Sequence, residues 1–254
     1  MKKLFLPLFL CCVFISRLAF ANNDGNNPKF KENLTVCSES GFIPFEMKDS
    51  SGHWDGFDID IIKKFALENK LNLVMLDISL DGLIPALSTK KCDLIASGLT
   101  ITEERANVVL FSQPVYSIVV TAAFIDSADI RNKFKQFNDI DKPGIKIASQ
   151  TGSAATNFLK KTISHATLLQ FSSENDEVNA LLQKKADVFV EDNVFITQVE
   201  KKFNKKFYVL ASTEKGDLAF AARKDEPELI SKLNLFITKI KQNGEYSVIK
   251  DKYF

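Results

Sequence analysis

The sequence is poor in the residues that most catalytic and nucleotide-binding sites require. Only two histidines occur in 254 residues, His53 and His165. Each stands alone in a polar, turn-like stretch, with no cysteine, second histidine or carboxylate cluster at ligand spacing, which argues against a metal centre and against a nucleophile with its base. Ten glycines are present and none falls in a GxGxxG or GxxxxGK[ST] run, so a phosphate-cradling loop is excluded. Charge of one sign is also lacking: 33 Lys and Arg against 32 Asp and Glu give a net charge of +1, too little for a footprint on a nucleic-acid backbone. Beyond the first 21 residues no apolar run approaches the roughly 18 to 20 residues that cross a bilayer; the longest, 118–125, is interrupted by Thr121. Internal repeats and low-complexity tracts are absent.

What is present begins with a leader. Met1-Lys2-Lys3 is followed by an apolar stretch over 4–15, broken by Pro7, and by Ala19-Phe20-Ala21. This is the pattern of a secretory signal peptide cut after Ala21, which places the mature chain in the periplasm. Loss of Lys2, Lys3 and Arg17 takes the net charge from +1 to −2. Cys11 and Cys12 lie within the apolar stretch behind Leu10, where lipid attachment calls for a small residue, so lipidation is not expected. Residues 22–29 read as a polar, flexible lead-in. Export would permit Cys37 and Cys92 to pair. The expectation is that they do not, because parallel neighbours in that register hold their Cα atoms beyond the ~7 Å limit for bridging.

The hydrophobic share, 45%, is enough to fill real cores. Short apolar runs at 34–37, 72–77, 94–97, 118–125, 146–149, 167–171, 188–191, 208–211 and 218–223 alternate with helical patterns, the signature of an α/β chain built from strand–helix–strand units. Phe57, Ile61 and Phe65 recur every four residues, and Leu229, Leu233, Phe236, Ile237 and Ile240 share one helical face, both of which predict core. Asp58 and Asp60 read as an N-cap and a first-turn acid rather than as a functional pair. The segments 118–125 and 218–223 are candidates for two crossings between lobes.

The stretch from Ser97 to Arg105 carries the first sign of chemistry. A strand ends, Gly98 permits a tight turn, Thr102 is a good N-cap, and two glutamates suit the positive end of the helix dipole. Arg105 then stands near a helix N-terminus, facing the crevice beyond the strand ends where open α/β sheets bind ligands. Its fork can grip a carboxylate through two parallel hydrogen bonds. The plainer alternative is a surface pair with Glu103 or an Asp.

Several segments, in this order and spacing, resemble the bacterial periplasmic polar amino-acid binding proteins of ABC importers, the extracellular solute-binding proteins of family 3. They are Gly41-Phe42-Ile43-Pro44-Phe45-Glu46, Gly56-Phe57-Asp58-Ile59-Asp60, Asp81-Gly82-Leu83-Ile84-Pro85-Ala86-Leu87, 92–105, Gln150-Thr151-Gly152-Ser153, 186–192 and Asn243-Gly244-Glu245-Tyr246. The resemblance implies a two-lobed periplasmic-binding-protein fold of type II, each lobe a mostly parallel sheet flanked by helices, joined by two hinge strands. One lobe would be 30–118 plus 219–254, the other 119–218. It implies a monomer that captures a free amino acid and hands it to an ABC permease, with no cofactor and no catalysis.

The resemblance also assigns roles. Arg105 would clamp the ligand's α-carboxylate with Thr100 and backbone N–H groups around Gly98. Thr151, Ser153 and Ala154 would contribute from the second lobe, Ala154 and Ala155 replacing residues that are often polar. Asp192 would take the α-ammonium, with Glu191 as its rival; alternation argues that only one of the two faces the crevice, and the plainer reading of Asp192 is a helix N-cap. Glu39, Phe42, Leu80, Ser97 and Gln150 would line the side-chain end. An acid at Glu39 beside the flat wall of Phe42 favours a basic ligand, arginine, lysine or histidine; glutamine and cystine remain alternatives. A cyclohexadienyl or arogenate dehydratase on the same fold is the enzyme alternative, against which 151–156 carries no acid.

Overall fold

The computed structural model describes residues 32–254. The leader read at 1–21, with Cys11 and Cys12, and the lead-in at 22–29 lie outside the described residues.

The first half of the chain runs β1 (Asn33–Ser38), β2 (Met47–Lys48), β3 (Trp54–Asp55), α1 (Phe57–Glu68), β4 (Asn72–Asp77), α2 (Leu80–Ser88), β5 (Leu94–Ile95), α3 (Glu103–Ala106), β6 (Val109–Phe111) and β7 (Tyr116–Ile125). It continues through α4 (Ala128–Lys133), a 3-10 turn (Phe137–Ile140), β8 (Lys146–Gln150), α5 (Ala154–Thr162), β9 (Thr167–Phe171), α6 (Glu174–Leu182), β10 (Val188–Asp192), α7 (Asn193–Phe203), β11 (Phe207–Leu218), β12 (Ala221–Arg223), α8 (Pro227–Gln242) and α9 (Glu245–Tyr253).

Two five-stranded sheets result, ordered β4-β1-β5-β12-β6 and β11-β7-β10-β8-β9. Each holds three parallel neighbours, β4-β1-β5 in one and β10-β8-β9 in the other, with antiparallel strands on one flank. Each is flanked by helices, so the chain is a two-lobed α/β molecule. The connection between lobes is made twice, by β7 outward and by β11 on return, and these strands pair antiparallel from Tyr116↔Leu218 to Ile125↔Phe207 with an irregularity between Ala211 and Lys215.

The side-chain periods do what they must. In β1, Val36 packs into the large core that contains Phe57, Ile61 and Phe65, while its neighbour Cys37 packs on the other face of the sheet with Leu83 and Leu87 of α2. The apolar face of α8 is buried, Pro227 opening that helix at a position where a missing N–H costs nothing.

Four sequence expectations are corrected. Cys37 and Cys92 are joined by a disulfide, with Cα atoms 5.8 Å apart. The ladder argument failed because Cys92 is not in the ladder: β5 begins at Leu94, and Cys92 lies in the turn after α2, in the layer between that helix and the sheet. The strand expected at 94–97 stops at Ile95, ahead of the Gly98 turn. The 218–223 run is divided between the end of β11 and β12, and β6 and the β2–β3 hairpin were not anticipated. Asp58 is not an N-cap, a place Gly56 takes without any side-chain bond. Its carboxylate is buried and accepts the Gly98 N–H at 2.9 Å, so it braces the turn that leads to Arg105.

Candidate functional site

The carboxyl ends of parallel strands in both sheets converge on one cavity, the position where open α/β sheets place their ligands. β1 delivers Glu39, and the turn after β5 delivers Ser97, Gly98 and Thr100. α2 begins with Leu80. From the other sheet, β8 ends in Gln150 and leads to Ser153 and Ala154, and β10 ends in Glu191 and Asp192. Of the residues singled out from the sequence, Glu39, Phe42, Leu80, Ser97, Gly98, Thr100, Arg105, Gln150, Ser153, Ala154 and Asp192 line this cavity. Thr151 does not: its backbone N–H is drawn away to the Phe171 carbonyl at 2.8 Å, extending the β8–β9 ladder. Glu46, Ile118, Val120, Ala155, Glu174 and Glu191 line it as well.

Arg105 sits in the short helix α3, whose N-cap Thr102 accepts the Arg105 N–H at 3.2 Å. The guanidinium is buried and is held by backbone carbonyls. Nη1 donates to the Thr100 carbonyl at 2.8 Å, and Nη2 crosses to the other lobe and donates to the Gly152 carbonyl at 2.9 Å. Burial pulls its pKa down to about 10, still far on the charged side at neutral pH. Gly98 is required here: its φ is +46° and a Cβ would run into the Phe42 ring. Phe42 in turn stacks on Phe45 and Phe195, at centroid distances of 5.1 and 5.7 Å, which fixes it as a flat wall.

Asp192 is a helix N-cap and a cavity-lining residue at once. Its Oδ1 caps α7, accepting from Val194 and Phe195 N–H at 2.7 and 2.8 Å, and the residue also lines the cavity. Alternation along β10 does not exclude Glu191, which lines the cavity too, because the strand ends at Asp192 and the chain turns into a helix there. Glu191 folds its Oε2 back onto the Asp192 N–H at 3.0 Å.

Between Gln150 and Glu39 the lobes are joined again, Nε2 donating to Oε2 at 2.8 Å. The Ser97 hydroxyl accepts the Glu39 N–H and donates to Glu46 Oε1, both at 3.0 Å. Burial drives the acids of this region upward: Asp192 to about 6, Glu39 and Asp58 to about 7, Glu174 to about 8, and Glu46 and Glu191 well above the ordinary carboxylate range. Two of them, Glu46 and Glu174, had no assigned role in the sequence. Glu46 lay in a quoted segment, and Glu174 follows the N-cap Ser173, where an acid reads simply as a partner of the helix dipole.

Among the described residues no helix is long and apolar enough to cross a membrane, and no group of three His, Cys, Asp or Glu could hold a metal ion. His53 and His165 are exposed, the first beside Asp49 of its own turn and the second beside Asp141, 24 residues away in sequence.

The L-arginine-binding protein of Pseudomonas aeruginosa is 29% identical over 234 residues, covering 87% of each chain. A crystal structure from Wolinella succinogenes, a putative binding component of an ABC transporter complexed with lysine, superposes with a TM-score of 0.82 at 31% identity, over 89% of this chain and 97% of that one. An ancestral amino-acid-binding protein described as a precursor of cyclohexadienyl dehydratase gives 0.81 at 31% identity, over 88% and 96%. Residues 34–254 match the bacterial extracellular solute-binding proteins, family 3, and the chain belongs to that family.

Proposed function

We propose that this protein captures a basic amino acid between its two lobes in the periplasm and delivers it to an ABC permease. The observation that carries the reading is that Arg105 of one lobe and Asp192 of the other line a single cavity whose remaining ionisable groups are all acids. A zwitterion with a cationic side chain matches that charge pattern. The Arg105 fork takes the α-carboxylate beside Thr100 and the backbone at the start of α5, where the N–H groups of Ala154 and Ala155 head the helix. The free oxygen of Asp192 takes the α-ammonium. Glu39, Phe42, Leu80, Ser97 and Gln150 surround the side chain, the Phe42 face adding roughly 0.5 to 2 kcal/mol for a cation placed over it. Relatives that carry arginine or lysine in their descriptions support the ligand class.

On this reading the lobes are 30–118 plus 219–254 and 119–218. The rotation between them is absorbed near 116–120 and 217–220, where β7 and β11 run side by side. The leader is removed after Ala21 on export, and the mature chain works as a monomer. No bond is made or broken: 151–156 carries no acid, and Thr156 spends its hydroxyl on Ser149 and the Gln150 carbonyl, at 2.8 and 2.6 Å.

A thermal-shift screen of the twenty amino acids on the mature chain tests the ligand class. Arginine, lysine or histidine should raise the melting temperature, since a ligand at 100 times its dissociation constant adds about 2.7 kcal/mol. A response to glutamine or cystine alone would sink the basic-ligand reading. Calorimetry on Arg105→Ala should show no amino-acid binding, and retained affinity would remove Arg105 from its role.

A further inference from the structure

We propose that Glu174 determines specificity at this site: from the second lobe it faces Glu39 and Glu46 of the first, so that the lobes close tightly only around a ligand whose side chain ends in a cation, and best around a guanidinium. The inference rests on the binding function proposed above and goes beyond it to the chemistry of the ligand's tip.

Glu174 is the first residue of α6 and is 3% exposed. Its Oε2 has no hydrogen-bond partner, although the residue lines the cavity. That oxygen reaches across to the first lobe, where a Cβ built on Gly41 would lie 3.7 Å from it. Glu46 is 1% exposed, and while its Oε1 takes the Ser97 hydroxyl, its Oε2 is likewise without a partner. Glu39 completes the set, one oxygen already engaged by Gln150. Buried acceptors left unpaired are expensive, and the two residues that carry these, Glu46 and Glu174, come from opposite lobes and both line the cavity.

Among the described residues no cation answers them. Arg105, the basic residue lining the cavity, donates to the carbonyls of Thr100 and Gly152, and its remaining donors are assigned above to the ligand's α-carboxylate. The missing donors must then come from the ligand. A guanidinium offers five N–H donors and no acceptor, an ammonium three. A terminal amide or urea brings an oxygen that would meet carboxylates. Acids on opposing lobes also resist approach when charged, and a cation between them reverses the sign of that term. Burial together with Glu39 nearby pushes Glu174 up to about 8, which accords with a carboxylate waiting for a partner.

The test is calorimetry on the mature chain with L-arginine, L-citrulline and L-glutamine, for the unmodified protein and for Glu174→Gln. Citrulline keeps the shape of arginine but carries a neutral urea. The unmodified protein should bind arginine at least about 100-fold more tightly than citrulline. In Glu174→Gln, arginine should weaken by about 10-fold or more, the size expected for one charged hydrogen bond, while citrulline strengthens. Equal affinity for arginine and citrulline in the unmodified protein overturns the proposal without any variant. Arginine binding and preference unchanged within about twofold in a folded Glu174→Gln would also overturn it, with the basic-ligand function intact. If no basic amino acid binds the unmodified protein, that function fails and the proposal falls with it.

Discussion

Arg105 of one lobe donates through Nη2 to the backbone carbonyl of Gly152 in the other, at 2.9 Å. A side chain expected to hold a ligand therefore also spans the cleft, and its second nitrogen holds the Thr100 carbonyl at 2.8 Å. The fork is directed by backbone groups on both sides, which is how a flexible side chain is held at one angle toward a carboxylate.

Arg105→Lys should consequently fail although it preserves the charge. One ammonium on a shorter reach cannot span two carbonyls and still offer paired donors to a carboxylate. At roughly 1.5 to 3 kcal/mol for each hydrogen bond to a charged group, amino-acid affinity by calorimetry should fall by at least about 100-fold. Retention of affinity within about tenfold would mean that charge alone, not the fork, holds the carboxylate.

The buried acids set the dependence on pH. Glu39, Glu46, Asp58, Glu174, Glu177, Glu191 and Asp192 all have pKa values raised by burial, with Arg105 the cation beside them. A carboxyl whose folded pKa lies above its unfolded value binds more protons in the native state, so stability falls as pH rises through the folded pKa. Values of about 6 for Asp192, about 7 for Glu39 and Asp58 and about 8 for Glu174 place the loss between about pH 4, where the unfolded carboxyls ionise, and about pH 8. The ligand-free melting temperature should decline over that interval, while the increment produced by a basic amino acid grows, because the cation binds the ionised acids. Scanning calorimetry with and without arginine measures both; a ligand increment that shrinks from pH 5 to pH 8 would contradict the charge pairing.

The disulfide closes a loop of sequence separation 55, for which chain entropy gives about 4 kcal/mol of stabilisation. Both sulfurs are buried between α2 and the first sheet, so the bond should resist reductant until the protein opens. Cys37→Ser with Cys92→Ser should lower the melting temperature by about 8 to 16 °C at ~2–4 °C per kcal/mol for a chain of this size. Amino-acid affinity should change little, since neither cysteine lines the cavity. An unchanged melting temperature would mean that the denatured chain is already compact around this loop.

How much of this could be read without coordinates follows from the range of the forces involved. Phe57, Ile61 and Phe65 announce their helix through spacing alone, and Thr102, Gly98 and Arg105 announce theirs through capping and turn chemistry, both local effects. The partnership of Arg105 with Gly152 joins residues 47 apart in sequence, and nothing near either one encodes it. Cys37 and Cys92 were misjudged for the same reason: the path from α2 into β5 bends outside the ladder from which their separation was inferred. Asp192 was legible because its strand-end wording resembles a family, but a cap and a cavity-lining acid look alike until both neighbours are placed. Glu174 had no signal at all, since an acid after an N-cap serine is what an ordinary helix also wants.

Glu177 offers a stability gain with no bearing on the ligand. It lies on α6, is fully buried, and neither carboxylate oxygen has a partner in hydrogen-bonding geometry. The backbone of Gln150 is near enough only to temper the upward push from burial and from Glu191 and Glu174. A buried polar group left unpaired costs about 1 to 3 kcal/mol, and Glu177 does not line the cavity. Glu177→Met fills similar space without polar oxygens and should raise the melting temperature by about 2 to 4 °C for each kcal/mol recovered. The gain should be larger at pH 8 than at pH 5, because removal also abolishes the proton binding that makes this carboxyl more costly as pH rises. Arginine affinity should stay within about twofold. A lower melting temperature at both pH values would show that the carboxyl is held by a partner that offsets its burial.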